Sequence, residues 1–303
     1  ASDFGPGANN LQFSAIAVGS INGNGYRIFA GGTSINGNGK LLATLVALDE
    51  SGAPVSSYAN GGMARLDPPA SPATSIRGLY YGEGFEIYAV GRLGRADGSD
   101  FLITGWRSDT GELATRLGNP TAPPAQRGYV SVNFGAGTTS EARSIVYEAR
   151  GNRYLVGGYT DVGGDFDLAI SKHVFFSSGC DALYPGTVNA GCLDSTFGSV
   201  TVGNPPGTRV IDLGSSLDLG GVLGFAWEPI PNSSNFQETH YYLSGELAPS
   251  AGFTQEHTGV VKLGRDGQLD LSFGSAGIGR YAVGSGATVP FAITQSPYLA
   301  PPV

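Results

Sequence analysis

Basic residues are scarce in this chain. Lysine and arginine together number 17 among 303 residues, against 25 acidic ones, and the formal net charge is −8. A lysine-poor surface of that sign is unsuited to a phosphate backbone or an anionic bilayer, which argues against nucleic acid and the membrane surface as partners. No apolar run approaches the length of a membrane-spanning helix. Histidine and cysteine are scarcer still, three and two residues, and none of them is spaced as a zinc site requires. A Gly-x-Ser-x-Gly elbow is missing, and no glycine-rich stretch leads into a helix with the endings of a phosphate-binding loop. Helix-compatible composition is absent too, because 49 glycines and 18 prolines would interrupt helices throughout.

What the chain does have is 41% hydrophobic residues, grouped in short alternating runs between turn residues. That pattern buries a core and reads as strands rather than disorder. The runs recur in a fixed order. A first strand (14–18, 75–80, 143–147, 221–226) is followed by an aromatic-rich strand that ends in Gly32, Gly91, Gly158 or Gly245. A third strand (42–48, 101–106, 166–174, 259–263) runs into a polar turn closed by Gly52, Gly111, Gly179 or Gly267. The intervals within the two glycine series match almost residue for residue. A phrase with an acidic residue upstream of Phe-Gly then leads to a fourth strand; its full copies are Leu193-Asp194-Ser195-Thr196-Phe197-Gly198 and Leu269-Asp270-Leu271-Ser272-Phe273-Gly274. A clipped copy stands at Asp3-Phe4-Gly5, and degraded ones at 57–62 and 117–118.

A unit of about sixty residues holding four short antiparallel strands is the arithmetic of a propeller blade. The expected fold is an all-β, single-domain β-propeller with four full repeats, over 12–66, 74–135, 141–214 and 219–284. Partial repeats at both termini, including a closing strand at 288–297, leave the total at four or five blades. The later units carry insertions, one around the cysteines and one at 228–238.

Leu-Asp-x-x-Phe-Gly at this interval resembles the delta-60 repeat family of bacterial exported proteins, most closely at 259–284. The resemblance implies a propeller-like β-fold and an extracellular or periplasmic address, and it brings no catalytic residues with it. An oxidising compartment also suits a disulfide between Cys180 and Cys192 closing the loop between them, as does a chain that begins Ala1-Ser2-Asp3 without Met.

The candidate site residues follow from these pieces. Asp161, Asp165 and Asp167, with two glycines among them, are the best calcium ligands the chain offers; no other cofactor is indicated. The Asp of each phrase is expected to hold its own turn, and the neighbouring Phe to plug the space between blades. Trp227, Glu228 and Glu238 flank the 228–238 insertion and form the ligand-binding candidate, because loops on a rigid scaffold carry recognition. The favoured function is a secreted, non-enzymatic binding or structural module for a protein or surface glycan within an assembly. The alternative is a secreted hydrolase or lyase acting on a polysaccharide or ester at the channel mouth, with carboxylates and His173 as acid and base.

Overall fold

The computed structural model describes residues 11–21, 25–82, 86–118, 127–148, 152–162, 164–174, 191–198, 205–212, 222–229, 239–247 and 257–281. These residues are strands and turns in four separate four-stranded antiparallel sheets. The first sheet holds β1 (Gln12–Ser20), β2 (Tyr26–Ile35), β3 (Leu41–Leu48) and β4 (Met63–Leu66). The second holds β5 (Thr74–Gly82), β6 (Glu86–Gly94), β7 (Ser99–Arg107) and β8 (Tyr129–Val132). The third is β9 (Ser140–Glu148), β10 (Arg153–Val162), β11 (Asp165–Val174) and β12 (Thr208–Ile211), and the fourth is β13 (Val222–Pro229), β14 (Thr239–Leu247), β15 (His257–Leu263) and β16 (Ile278–Tyr281). Within each sheet spatial order follows chain order, so each sheet is a meander made from one sequence repeat.

The sheets are propeller blades because their cores lie between them. One core joins Phe29, Leu45 and Leu66 of blade 1 to Ile76, Leu102 and Trp106 of blade 2. A second joins Tyr88, Val90 and Ile103 of blade 2 to Ile145, Tyr154 and Val156 of blade 3, and a third joins Leu155, Ile170 and Phe197 to Tyr241, Leu243 and Val261 of blade 4. A lone four-stranded sheet would leave one of these faces wet. Third strands, covered on both sides, are buried almost end to end, as β3 and β7 show. Among the described residues no core joins blade 4 to blade 1, and the row of blades is not closed into a ring. The closing strand expected at 288–297 lies outside the described residues.

The first glycine series has a steric cause. The register of each first strand shifts against the second at the same point, between Phe13 and Ala15, Ile76 and Gly78, Ala142 and Ser144, and Val222 and Gly224. The bulge drives the first strand's backbone onto the second. A Cβ at Gly32, Gly91 or Gly158 would stand 1.9, 2.0 or 2.1 Å from the carbonyl oxygen of Gln12, Ser75 or Glu141. Only glycine fits.

The second series is corrected at its third member. In every blade an amide at the end of the third strand or just past it donates to the carbonyl of the residue following the turn glycine: Asp49 to Ala53, Arg107 to Glu112, Val174 to Cys192 and Gly264 to Gln268. The turn glycines are therefore Gly52, Gly111, Gly191 and Gly267, all with positive φ. Gly191 thus holds the repeat position expected at Gly179, which lies outside the described residues with the rest of 175–190. From that glycine onward all four repeats align as Gly-x-x-x-x-x-plug, the plug being Tyr58, Leu117, Phe197 or Phe273.

Candidate functional site

Each phrase closes a turn around its plug, and the plugs Tyr58, Leu117 and Phe197 lie in the cores between blades. The plug amide donates to the carbonyl three residues back, from Tyr58 to Val55, Leu117 to Ala114, Phe197 to Asp194 and Phe273 to Asp270. The plug carbonyl accepts from a positive-φ glycine that opens the fourth strand: Gly62, Gly128, Gly207 or Gly277. Phe197 is fully buried, edge-on to Tyr241 with ring centroids 6.1 Å apart. The phrase Asp holds its turn, as its short side chain suits it to do. Asp194 Oδ1 accepts from the Thr196 amide and hydroxyl at 3.1 and 2.6 Å, and Asp270 Oδ1 accepts from those of Ser272 at 3.1 and 2.5 Å.

Cations from the strands complete these turns. Arg153 Nε lies 2.6 Å from Asp194 Oδ2, and Lys262 Nζ 3.1 Å from Asp270 Oδ2. The Ser272 hydroxyl and then the Lys262 ammonium hold the Asp270 carboxyl down at about 2. Blade 2 reverses the charges: Ala114 stands where Asp194 does, and Arg116 Nε reaches Glu86 Oε2 at 2.9 Å, Glu86 being the counterpart of Arg153. Arg27, the same position in blade 1, instead donates to the Ser108 and Asp109 carbonyls of blade 2 at 2.7 and 3.0 Å. These groups are fastenings.

A buried polar cluster at the seam of blades 3 and 4 is not evident in the sequence. Lys172 Nζ, on β11, lies 3.1 Å from Glu148 Oε2 and donates to the Tyr241 hydroxyl at 2.8 Å; that hydroxyl donates to Glu148 Oε2 at 3.1 Å. Lys172 and Glu148 are both 3% exposed. Burial pushes the lysine down and the nearby Glu148 carboxylate opposes it. The available cue was a lysine at alternate spacing with Phe166, Leu168, Ile170 and Val174, on the apolar face of its strand, where it needs a buried partner.

His173 sits beside this cluster and is sealed. Its Nδ1 bonds the Gly191 carbonyl at 2.7 Å, so that nitrogen carries the proton; Nε2 then accepts from the Ser171 hydroxyl at 2.8 Å. Burial brings its pKa down to about 4. Ser171 and His173 thus form a hydrogen-bonded pair, but a carbonyl occupies the place of a triad carboxylate and both residues are buried. A cleft of about 310 Å³ opens between blades 1 and 2. Its walls include Asn60, Met63, Arg65, Trp106 and Leu113, and Arg65 is its only ionisable lining residue. It has no acid–base pair.

Asp161 and Asp167 do not share a face of the sheet. Strand register sets Thr160 opposite Asp167 and Asp161 opposite Phe166, so Asp161 and Asp167 stand on opposite faces of the sheet. Asp161 Oδ1 accepts from the Gly164 amide at 2.9 Å, and Asp167 is buried. Asp165 pairs in register with Val162. Among the described residues no group of three His, Cys, Asp or Glu side chains is arranged to hold a metal.

Trp227 and Glu228 lie at the end of β13, in register with Tyr241 and His240; Glu238 lies outside the described residues. Cys192 is buried and disulfide-bonded, and Cys180 also lies outside the described residues. Topology relates these positions. The ends of β9, β11 and β13 and the phrase turns all lie at the same end of their blades, because first and third strands run parallel there. The chain leaves the described sheets for 119–126, 175–190, 199–204 and 230–238 from that end in every case.

No family model matches the chain, and no curated protein matches it. Among solved structures it is similar to Drosophila Semaphorin 2a, at 12% identity and a TM-score of 0.45, over 85% of this chain and 47% of that one. The chain thus spans less than half the length of that structure. No helix among the described residues is long and apolar enough to cross a membrane.

Proposed function

We propose that the protein is an exported, non-enzymatic β-propeller of the delta-60 repeat type, serving as a binding or structural module in a cell-surface, extracellular or periplasmic assembly. Its partner is a protein or a surface glycan, held by the end of the blades from which the insertions leave. One observation carries this reading: the 119–126, 175–190, 199–204 and 230–238 segments depart from one end of blades 2 to 4, which bears more of the added sequence than the opposite end, from which 213–221 and 248–256 leave. Insertions gathered at one end of a scaffold fastened by buried plugs make a recognition face. Trp227 and Glu228 stand at that end. The four-fold recurrence of the phrase turn supports the repeat assignment. Export is supported by the disulfide-bonded state of Cys192, whose partner in the chain is taken to be Cys180, the only other cysteine.

The test compares the native chain with a variant in which 230–238 is replaced by Asn-Gly, using glycan arrays and cross-linking to envelope proteins. Retention by the native chain and its loss in the variant, with melting temperature unchanged, is the expected result. Equal behaviour of the two proteins would remove this face as the binding surface.

A further inference from the structure

The bulges that fix the first glycine series also release one residue per blade from the ladder. The extra residues of the four first strands are Ser14, Arg77, Arg143 and Leu223. A bulge re-aims such a residue instead of pairing it. Bulges of neighbouring blades abut: the Ser14 hydroxyl donates to the Ile76 carbonyl at 2.6 Å, and a Cβ at Gly78 would stand 2.7 Å from the Arg143 carbonyl oxygen. Backbone sterics account for a bulge in every blade. They do not account for two adjacent bulges carrying arginine, in a chain with only 17 basic residues and a net charge of −8.

Both arginines meet one carboxylate. Arg77 Nε donates to Glu141 Oε2 at 3.1 Å across the seam of blades 2 and 3, and Arg143 Nε lies 2.5 Å from Glu141 Oε1. Burial separates the signs. The Glu141 side chain is 4% exposed, whereas those of Arg77 and Arg143 are 32% and 26% exposed. The acid thus holds two guanidiniums from beneath, and the charge this cluster shows to water is positive. The Tyr159 ring, in register with Glu141, supports Arg143 at 5.2 Å. Further along β10 the Asp161 carboxylate is taken up by the Gly164 amide, and Arg92, exposed and in register with Ser75, adds a third cation to this stretch of blade 2. The phrase turns of blades 2 and 3 instead match one guanidinium to one carboxylate, Arg116 to Glu86 and Arg153 to Asp194.

We infer that Arg77 and Arg143 form a binding site for a carboxylate borne on an otherwise neutral body. Two guanidiniums oriented by a buried acid are a preorganised pair of forks for a planar anion. Their single excess charge suits one carboxylate, and the negative charge of the whole chain disfavours a polyanion at the same place. A uronic-acid residue of a glycan and the C-terminal carboxylate of a peptide both present that group. The site lies in the first halves of β5 and β9, towards the end of the blades opposite the phrase turns. It is therefore independent of what the loop-bearing end binds.

NMR titration of the native chain with glucuronate, N-acetylglycine and glucose, in about 0.15 M salt, tests the inference. Two variants accompany it, each checked for native circular dichroism. Arg77→Gln with Glu141→Gln removes one fork while leaving net charge unchanged and no buried carboxylate unpaired; Arg143→Lys keeps the charge and removes the other fork. The expected result is saturable binding of glucuronate, N-acetylglycine or both, at least about tenfold weaker in either variant, with glucose silent. Glucuronate alone would identify a glycan as the source of the carboxylate, and N-acetylglycine alone a peptide. Failure of both carboxylates to bind up to about 20 mM, equal binding by native chain and variants, or glucose bound as tightly as glucuronate would overturn the inference.

Discussion

His173 and Lys172 are adjacent ionisable residues on β11, both buried, and they meet burial in different ways. The lysine keeps company with Glu148 and Tyr241. The histidine stays neutral, because its pKa is held near 4 by burial, and the unfolded imidazole takes its proton near 6.5. The unfolded chain therefore binds this proton at a higher pH than the folded one, and stability is lost as pH falls from 6.5 towards 4. The full effect is on the order of 3 kcal/mol. Urea denaturation at pH 7 and pH 4.5 should show the native chain losing more stability than His173→Gln; parallel losses would mean that other groups set the acid limit. The histidine was legible as a residue on a strand face, and a carboxylate partner across the sheet was conceivable. That its ring would meet the Gly191 carbonyl depended on where an insertion ended, which local pattern does not reveal.

At the level of strands and turns, recurrence carries more information than propensity. Four strands per unit and the plug role of Phe197 could be read because hydrophobic alternation and the Phe-Gly phrase repeat together. In blade 3 only the hydrogen bond from Val174 to Cys192 marks the turn, and it assigns the repeat position to Gly191; Gly179 lies outside the described residues. Charge exchange between Glu86–Arg116 and Arg153–Asp194 was hidden for a related reason, since it shows only after correct alignment. The bulges explain the strand glycines physically, and they can be tested. Gly91→Ala would force a methyl group against the Ser75 carbonyl and should cost about 3 kcal/mol or more, at the top of the overpacking range. Gly37→Ala, where a Cβ meets nothing within 4 Å, should change stability by less than about 0.5 kcal/mol. Similar melting temperatures for the two would contradict the steric account.

For the molecule as a whole, the blade order and the presence of insertions in the later blades were accessible from sequence, whereas the point at which the cysteine insertion rejoins its blade was not, because repeat spacing does not say on which side of a turn added residues enter. Asp161 and Asp167 are kept apart for a geometric reason: the period-two register of the hairpin sets them on opposite faces however near they are in sequence. The cysteine pairing remains open to direct measurement. Peptide mapping without reductant should recover 180 linked to 192, and reduction should lower stability by about 2–4 kcal/mol; a link between chains would instead assign Cys192 to an assembly contact. The bond between the plug carbonyl and the glycine opening the fourth strand has a consequence for variation. It closes the base of the loop at 59–61 and 274–276 and equally at 118–127 and 198–206. Past the first loop residue, which at Ala59 and Gly198 still bonds the next blade, sequence beyond that clasp is set apart from the joint below it, so the remainder of these loops can be lengthened, exchanged or randomised while the blades keep their spacing. The chain thereby carries ready-made positions at which new specificity can be acquired without renegotiating the fold.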